Sequence, residues 1–343
     1  MNTVAILGHF AFGTQTLNGQ TIKTKIVAEE LQRAIGKDEV TLADTSGGWR
    51  FLLRLPFTIC QLLSNSRNII IAPAYKAIFL ISPILVFLNC FFGKRLHFVT
   101  IGGRLPFIAN RSSFMRFILS KFNFIYAETE LVRRELESCH LHNVVVMPNC
   151  KHLNIVQKED LPTSTTMPLK LCTFSRVSLD KGIAEAIEAV VETNRKLGRK
   201  AFALDIYGQI DDPTWFDGLV KSQPEYIRYQ GLIPYDKSTA TLQSYFILLF
   251  PTFYPGECFA GTIIDAMAAG LPVAASDWRS NSELIDEGKT GFIFKVHDIR
   301  RLTEILTHAA NHPEEIFAMR SNCILRAQEL QPANVLKTLL SKL

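Results

Sequence analysis

Three kinds of pattern are missing from this 343-residue sequence, and each absence argues against a class of protein. The seven cysteines are scattered and show no C-x-x-C or Cys/His spacing, which argues against a disulfide framework or a structural zinc site and favours a reducing cytoplasm. Gly8, Gly13 and Gly19 lack G-x-G-x-x-G spacing, which disfavours a nicotinamide dehydrogenase. The opening residues MNTVAILGHF contain no basic region followed by a cleavage site, so we expect no signal peptide.

Acidic residues are scarce in the first half of the chain. Residues 1–150 carry 16 Lys and Arg against 9 Asp and Glu, a net charge of +7, whereas residues 151–343 carry 21 against 23, a net charge of −2. We therefore expect the first half to meet an anionic partner, which from charge alone can be a phosphate, a lipid headgroup or nucleic acid.

One long uncharged segment is present. Residues 77–93, AIFLISPILVFLNCFFG, lie between Lys76 and Lys94 and are at the lower limit of length for a transmembrane helix. They also lie between two predicted strands, where a parallel sheet needs a crossover helix. We favour a buried crossover helix over a membrane span.

The length of the chain suits two domains, and short β-branched or aromatic runs alternate with helical patterns along it. This alternation predicts the α/β class with parallel sheets. The polar stretch KHLNIVQKEDLPTSTTMP (151–168) is the expected linker. We expect two doubly wound, Rossmann-like domains facing across a cleft, over residues 1–155 and 156–325, with a C-terminal helix at 326–343 that can cross back to the first domain.

The loop FSRVSLDKG (174–182) follows a predicted strand and opens a helix. It places Arg176 and Lys181 at the carboxyl end of a parallel sheet, where a diphosphate would bind. Arginine offers a planar fork to phosphate oxygens, and lysine offers a point charge. Taken alone, two basic residues in a loop are ordinary solvated surface.

A second loop, within PTFYPGECFAGTIIDAM (251–267), runs from a predicted strand into a helix that starts near residue 260. The amides of residues 258–262 would be helix N-terminal donors, which favour an anion. Glu257 could then accept hydrogen bonds from hydroxyl groups of whatever the phosphate carries, and Asp265 could reach a second hydroxylated ring. The alternative is that Glu257 caps the helix and Asp265 is a stray exposed charge.

The first half contains a third candidate loop and two basic, aromatic segments. Asn18 and Gly19 end a glycine-bearing loop before a helix and allow close backbone approach to a ligand, although a bare structural turn fits as well. The segments GGWRFLLRLPF (47–57) and NRSSFMRFILSKFNF (110–124) suit an interfacial membrane contact. They suit equally helices that pack their aromatic side chains in the core.

Taken in order along the chain, these segments resemble one enzyme family. The segments that carry the resemblance are FSRVSLDKG, DIYGQ, YQGLIPYDK and FPTFYPGECFAGTIIDAMAAGLPVAASDWRSNSELIDEGKTGFIF, with LNGQTIKT and VVVMPNC in the first half. Together they resemble the retaining, nucleotide-sugar-dependent glycosyltransferases of GT-B fold, family 4. The resemblance covers nearly the whole chain and is strongest over residues 170–296.

The resemblance implies roles for individual residues. Arg176 and Lys181 match the catalytic pair that binds the donor diphosphate and stabilises the charge of the leaving group. Glu257 and Asp265 match the two acids of the E-x7-E motif, which hold hydroxyls of the transferred sugar and of the ribose. The further donor-binding positions that it implies are Asn18, Gly19, Gly208, Ile233 at the base pocket, and the helix start Cys258, Phe259, Ala260, Gly261 and Thr262.

The sequence departs from the family pattern at two places. The second acid is aspartate, one methylene shorter than glutamate, so the ribose contact is either direct with a shifted helix or bridged by water. The family often has a histidine where this chain reads TIGGR (100–104). Either another residue polarises the acceptor hydroxyl or the donor phosphate takes its proton, and no general base is assigned.

The resemblance implies transfer of a hexose from a UDP- or GDP-sugar to a saccharide or lipid-diphosphate-linked acceptor. It places this transfer in bacterial surface-polysaccharide synthesis, such as that of capsule, O-antigen, lipopolysaccharide or exopolysaccharide. It implies a cytoplasmic protein, with peripheral contact to the inner face of the plasma membrane, and no nucleic acid partner. Because no D-x-D sequence is present, we expect no metal and no other cofactor. The alternatives are another GT-B enzyme, such as a phosphorylase or an epimerase, and a catalytically silent subunit that binds a sugar nucleotide.

Overall fold

The computed structural model describes residues 2–12, 19–46, 48–164 and 166–343. The chain divides into two compact units, a first unit of residues 1–152 with 331–343 and a second unit of residues 153–330. The sequence placed the two boundaries at 155 and 326. The second boundary lies later in the structure because a helix that begins at Pro313 continues to Glu329.

The first unit is built on one parallel sheet. The strands that the structure describes there are β1 (Asn2–Gly8), β2 (Val40–Asp44), β3 (Ser66–Ala72), β4 (Arg95–Val99), β5 (Phe124–Ala127) and β6 (Val144–Val146). They pair in the order β2-β1-β3-β4-β5-β6. The described helices between them are α1 (Gly19–Ile35), α2 (Gly48–Asn65), α3 (Ile78–Asn89), α4 (Leu105–Arg111), α5 (Ser113–Leu119) and α6 (Glu130–Ser138).

The uncharged segment 77–93 forms the crossover helix α3 between β3 and β4, but it is buried on one side only. Ile81 and Leu85 are in the core, whereas Phe87 is 66% exposed and Phe91, just past the helix, is 75% exposed. The expectation of a buried helix was therefore wrong for the outer side. Within the described ranges, no helix combines the length and the apolar character that crossing a bilayer requires.

The second unit has the same plan. Its described strands are β7 (Leu169–Phe174), β8 (Phe202–Tyr207), β9 (Ile227–Gly231), β10 (Ile247–Phe250), β11 (Val273–Ser276) and β12 (Gly291–Phe294). They pair in parallel in the order β12-β11-β10-β7-β8-β9. Its described helices are α7 (Ile183–Lys196), α8 (Pro213–Val220), α9 (Ser238–Leu242), α10 (Gly261–Ala268), α11 (Asn281–Leu284), α12 (Ile299–Asn311) and α13 (Pro313–Glu329).

After α13 the chain returns to the first unit as two short helices, α14 (Pro332–Val335) and α15 (Lys337–Leu340). Val335, Leu336 and Leu339 are buried in the core that α1 forms with the first sheet. The α/β class with two Rossmann-like parallel sheets is confirmed by these two units.

Candidate functional site

The strand order of the second sheet locates a ligand site before any side chain is considered. From β7 the chain adds β8 and β9 on one side, and then β10, β11 and β12 on the other. The order therefore reverses between the neighbours β7 and β10. Open parallel sheets bind ligands at such a switch point, outside the carboxyl ends of the strands. The loops that leave β7 and β10 at this point are the two loops that the sequence singled out.

The loop after β7 is shaped by a glycine. A 3₁₀ turn over Leu179–Lys181 ends at Gly182, whose φ of +70° is left-handed. A Cβ on Gly182 would lie 2.1 Å from the carbonyl oxygen of Pro251, so no other residue fits without a backbone shift. The close approach brings Lys181 against the loop that follows β10. The amide of Phe253 also donates to the carbonyl of Asp180 over 2.8 Å.

Lys181 and Glu257 form a buried ion pair at this junction. Lys181 Nζ lies 2.5 Å from Glu257 Oε2, and the two side chains are only 9% and 11% exposed. Thr252 Oγ1 donates to the same carboxylate oxygen over 3.3 Å, and the Thr252 carbonyl accepts a hydrogen bond from Ser276 Oγ. Lys181 and Thr252 thus fix the carboxylate, and Ser276 ties Thr252 to the end of β11. Its partner is a cation and not the helix start, so the capping alternative for Glu257 is not what the structure has.

Tyr254 lies beside both cations of the site. Lys181 Nζ is 4.6 Å and the Arg176 guanidinium 5.3 Å from the centre of its ring, within the range of cation–π attraction. The Tyr254 carbonyl accepts from the Trp278 indole over 2.7 Å. Arg176 also pairs with Asp211 over 2.8 Å, and its side chain is half exposed. The site therefore presents one buried and one solvent-accessible cation.

The end of β8 forms another wall of the site. Gly208 has a φ of +138°, and a Cβ there would lie 1.6 Å from the carbonyl oxygen of Ser175. The backbones of the two strand ends therefore touch at Gly208, and the Tyr229 hydroxyl donates to its carbonyl over 2.8 Å. This contact holds the start of the loop that carries Arg176.

Two tyrosines stand behind these loops. The Tyr245 hydroxyl donates to Asp205 Oδ2 over 2.8 Å and lies 2.8 Å from the Tyr207 hydroxyl. Burial raises the pKa of both phenols. Both tyrosines therefore stay neutral and act as hydrogen-bonded supports of the sheet.

Helix α10 begins at the same edge of the sheet. Its N-cap residue, Ala260, offers no side-chain acceptor to the first turn, and Cys258, Phe259 and Ala260 are all buried. Thr262 Oγ1 donates to the Phe174 carbonyl over 2.8 Å, which ties the helix start to the end of β7. A helix N-terminus carries partial positive charge, so it adds to the two cations nearby.

The remaining predicted residues divide between the two units. Asp265 is buried on α10 at 8% exposure, so it is not the stray exposed charge of the alternative interpretation. Ile233 packs half-buried on the apolar cluster that contains Phe259. Gly19 is the first residue of α1 in the first unit, and Asn18 lies outside the described residues.

The second unit thus brings Arg176, Lys181, Gly208, Glu257 and the start of α10 to one edge of its sheet.

Sequence reasoning missed Gly182, Tyr254, Thr252 and Asp211. Only Gly182 had a sequence signal, because a glycine directly after the candidate lysine, before a helix, marks a left-handed turn. In the described part of the chain, His, Cys, Asp and Glu residues form no group of three or more that could hold a metal ion. Chemically, two cations and a helix N-terminus can bind a diphosphate, and the fixed carboxylate can accept hydrogen bonds from hydroxyl groups.

Comparison with known proteins shows similarity to glycosyltransferases. Residues 168–312 match the family model for glycosyl transferases group 1. The chain is 26% identical over 129 residues to the GtfA subunit of the UDP-N-acetylglucosamine–peptide N-acetylglucosaminyltransferase of Streptococcus pneumoniae, which is 37% of this chain and 24% of that protein. It is 24% identical over 143 residues to AmsK, the amylovoran biosynthesis glycosyltransferase of Erwinia amylovora, which is 40% of this chain and 35% of that protein. The chain thus spans only a quarter to a third of the length of these curated relatives.

A solved structure extends the likeness to the whole chain. The structure of Anabaena HepE in complex with UDP superposes with a TM-score of 0.77 and covers 99% of this chain and 100% of its own, at 15% sequence identity. At that identity the likeness establishes the fold, which is the GT-B type with two Rossmann-like domains.

Proposed function

We propose that this chain, whose residues 168–312 match the family model for glycosyl transferases group 1, moves a hexose with retention of configuration from a nucleoside-diphosphate sugar to a saccharide acceptor. The observation that carries the proposal is the Lys181–Glu257 pair, with Nζ 2.5 Å from Oε2, at the switch point between β7 and β10. It sets a cation for phosphate beside a carboxylate for sugar hydroxyls, which is the chemical pairing that a sugar diphosphate requires.

Each residue of the site has a part in this reaction. Arg176 and Lys181 bind the diphosphate, and their charge stabilises the leaving group as its negative charge grows. The start of α10, from Cys258 to Thr262, donates to phosphate oxygens. Glu257 orients the transferred sugar through its hydroxyls. Asp265, inside the same helix, reaches the ribose.

The proposed transfer step uses no protein nucleophile. The acceptor hydroxyl oxygen forms a bond to the anomeric carbon, and the bond from that carbon to the β-phosphate oxygen breaks. The nucleoside diphosphate leaves, and the hydroxyl proton passes to a phosphate oxygen on the same face of the sugar. Attack from that face retains the anomeric configuration.

The biological setting is proposed from the relatives of this chain. AmsK is named for amylovoran biosynthesis, which supports a role in bacterial surface-polysaccharide assembly with a lipid-diphosphate-linked acceptor. The HepE structure holds UDP, which supports a nucleotide-sugar donor. We place the reaction at the cytoplasmic face of the inner membrane, without a metal or another cofactor. The silent-subunit and phosphorylase alternatives become outcomes of the test.

A panel of UDP- and GDP-sugars tests the proposal. Purified protein is assayed for donor turnover with and without a saccharide acceptor, and nucleoside-diphosphate binding is measured by calorimetry. We expect one preferred donor, transfer that persists in a chelator, and an α-linked product from an α-linked donor by NMR. Glu257→Ala should lose turnover and keep most of its affinity for the nucleoside diphosphate, because its proposed contact is to the sugar.

The matched control is Glu225→Ala, which removes an exposed carboxylate of the second unit that pairs with Lys200. It should leave turnover unchanged. Full turnover in Glu257→Ala would remove that residue from the site. Donor conversion without an acceptor would indicate a different GT-B enzyme, and binding without any turnover would indicate a silent subunit.

A further inference from the structure

One stretch of the first unit combines cations with a complete lack of acids. Residues 45–127 contain ten Lys and Arg and neither Asp nor Glu. This stretch includes all of α2, α3, α4 and α5. Helix α3 contacts both α2 and α5, and α5 contacts α4, so the four helices form one continuous surface, which we call the helical face.

The helical face is also where large apolar side chains are exposed. They lie on α2, directly after α3, and on α3, α4 and α5: Leu53, Phe57, Phe87, Phe91, Phe107, Phe114 and Phe117, with exposures from 52% to 75%. Of the two alternatives for the segment 110–124, packing of its aromatic side chains in the core does not hold for Phe114 and Phe117. A contiguous exposed apolar surface of this kind marks an interaction site.

A groove lies in the helical face between α3 and α5. Its volume is about 530 Å³, and its lining includes Val86, Phe87, Cys90, Phe114 and Phe117. The polar side chains in the lining are those of Asn89 and Lys121, and the Asn89 amide is already hydrogen-bonded to the backbone of Lys94. The groove therefore offers a hydrocarbon surface with one cation beside it.

On the helical face, cations lie directly beside exposed aromatic rings. Arg111 lies 4.3 Å from the centre of the Phe107 ring, and Lys121 Nζ lies 4.6 Å from the centre of the Phe117 ring. A lipid headgroup region offers both environments at once, because anionic phosphates and the first methylenes of the acyl chains are a few ångströms apart.

An apolar face could also bind a second copy of this chain, but the charge of the helical face argues against such a dimer. A two-fold dimer places the same patch on both subunits, so it would oppose cations to cations in a stretch that has no acid to pair with them. An anionic bilayer is complementary to both the charge and the apolar side chains.

We propose that the helical face binds an anionic lipid bilayer and that a lipid hydrocarbon chain enters the groove between α3 and α5. The inference deepens the proposed function, since it brings the enzyme to the membrane where a lipid-linked acceptor lies. Its geometry is independent of the donor site in the second unit.

Vesicle co-sedimentation tests the proposal. The full chain is mixed with vesicles of phosphatidylcholine alone or of phosphatidylcholine with phosphatidylglycerol. We expect strong binding to the second kind only, weakened by salt. Phe87→Ser with Phe91→Ser should weaken the binding by about tenfold or more, and Arg111→Gln with Lys121→Gln by about fivefold per cation. The control is Met167→Ser with Leu325→Ser, two exposed apolar residues of the second unit, which should bind like the wild type.

Cys90 reports on the groove itself, because it is an exposed cysteine in the groove lining. In a Cys60→Ser background, an environment-sensitive dye on Cys90 should shift to the blue when anionic vesicles are added. The shift should be absent with phosphatidylcholine alone.

Three results would overturn the inference. The first is that the wild type binds neither kind of vesicle, and the second is that the Phe87/Phe91 variant binds as strongly as the wild type. The third is that the wild type is a dimer and the Phe87/Phe91 variant is a monomer. Nucleoside-diphosphate binding is measured on the same samples. If vesicle binding fails while that affinity and transfer to a soluble acceptor persist, only this inference fails; if the affinity is absent while vesicle binding persists, the proposed function fails.

Discussion

Lys181 Nζ lies 2.5 Å from Glu257 Oε2, although the two residues are 76 positions apart in the chain. Both side chains are about nine-tenths buried, so each charge has given up most of its hydration. A buried charge is tolerated only when its partner is present. The pair therefore links the loop after β7 to the loop after β10 and fixes a cation and a carboxylate in one geometry before any ligand binds.

The energy of this link is measurable by a double-mutant cycle. Lys181→Met or Glu257→Gln should each lower the free energy of unfolding by roughly 3 kcal/mol, because each leaves a buried charge or acceptor without its partner. The double variant should lose less than the sum, with a coupling of about 2 kcal/mol. Urea unfolding followed by fluorescence gives the four values.

The control cycle uses Arg176→Met and Asp211→Asn, an ion pair of similar chemistry whose side chains are 49% and 34% exposed. Its coupling should stay below about 1 kcal/mol, as is usual for surface pairs. Additive effects at Lys181 and Glu257 would contradict the description of a tightly coupled buried pair.

Gly182 sets the position of Lys181, and two glycines allow this to be tested. Gly198→Ala should cost about 1–2 kcal/mol, because its φ of +61° disfavours any side chain while the space around it is open. Gly182 has a similar φ of +70°, and a Cβ added there would in addition lie 2.1 Å from the Pro251 carbonyl oxygen. The cost of Gly182→Ala therefore includes this clash and should be roughly 3 kcal/mol or more.

Calorimetry separates the two glycines further. Gly182→Ala should also weaken nucleoside-diphosphate binding, since Lys181 moves with the backbone, whereas Gly198→Ala should not. Equal losses of stability in the two variants would mean that the close approach to Pro251 has no energetic consequence.

Much of the fold could be predicted because it depends on local pattern. The alternation of apolar runs and helices predicted two parallel α/β units, and chain order places Arg176 and Lys181 after one strand and Glu257 after another. That the two loops meet depends on strand order. The order β7-β10 is set by packing between distant segments, so the sequence could place the residues at strand ends but not pair Lys181 with Glu257.

The parts that could not be predicted are those that depend on which side of an element faces out. Helix α3 is apolar all round in sequence, so periodicity could not reveal that Phe87 is exposed while Leu85 is buried. Tyr254 was missed for a related reason: its cationic neighbours come from another loop. The roles of Asp265 and Gly19 in donor binding stay predictions.

Tyr254 should act on donor binding through its ring. Tyr254→Leu removes the attraction to Lys181 and Arg176, each worth about 0.5–1 kcal/mol, and should raise the Kd for the nucleoside diphosphate by about five- to thirtyfold. Tyr254→Phe keeps the ring and should bind within about twofold of the wild type. Calorimetry at fixed ionic strength measures both.

The control for Tyr254 is Tyr226→Leu, which removes a ring from a cation–π contact with Lys200 elsewhere in the second unit. It should leave nucleoside-diphosphate affinity unchanged. If Tyr254→Leu binds as tightly as the wild type, the ring does not position the two cations.

We expect His97 to make the first unit sensitive to mild acid. The imidazole is completely buried on β4, with Nδ1 3.0 Å from the Tyr126 hydroxyl and Nε2 3.2 Å from Asn68 Oδ1. Because Asn68 Nδ2 donates to the Thr3 carbonyl, Asn68 Oδ1 accepts from Nε2–H, and Nδ1 accepts from the tyrosine. Both ring nitrogens of the neutral imidazole are therefore satisfied.

Burial, with a smaller contribution from the charge of Arg95, lowers the pKa of His97 to about 4, from an ordinary value of 6.5. The unfolded chain therefore binds a proton between pH 6.5 and about 4 that the folded protein does not, so stability falls as the pH falls through this window. The total loss should be about 3 kcal/mol. Urea unfolding at several pH values should show this slope in the wild type and a flatter one in His97→Gln, which has no group that titrates there. The matched control is His142→Gln, since His142 is an exposed histidine of the first unit, and it should keep the wild-type slope. A wild-type slope in His97→Gln would assign the acid sensitivity to other groups.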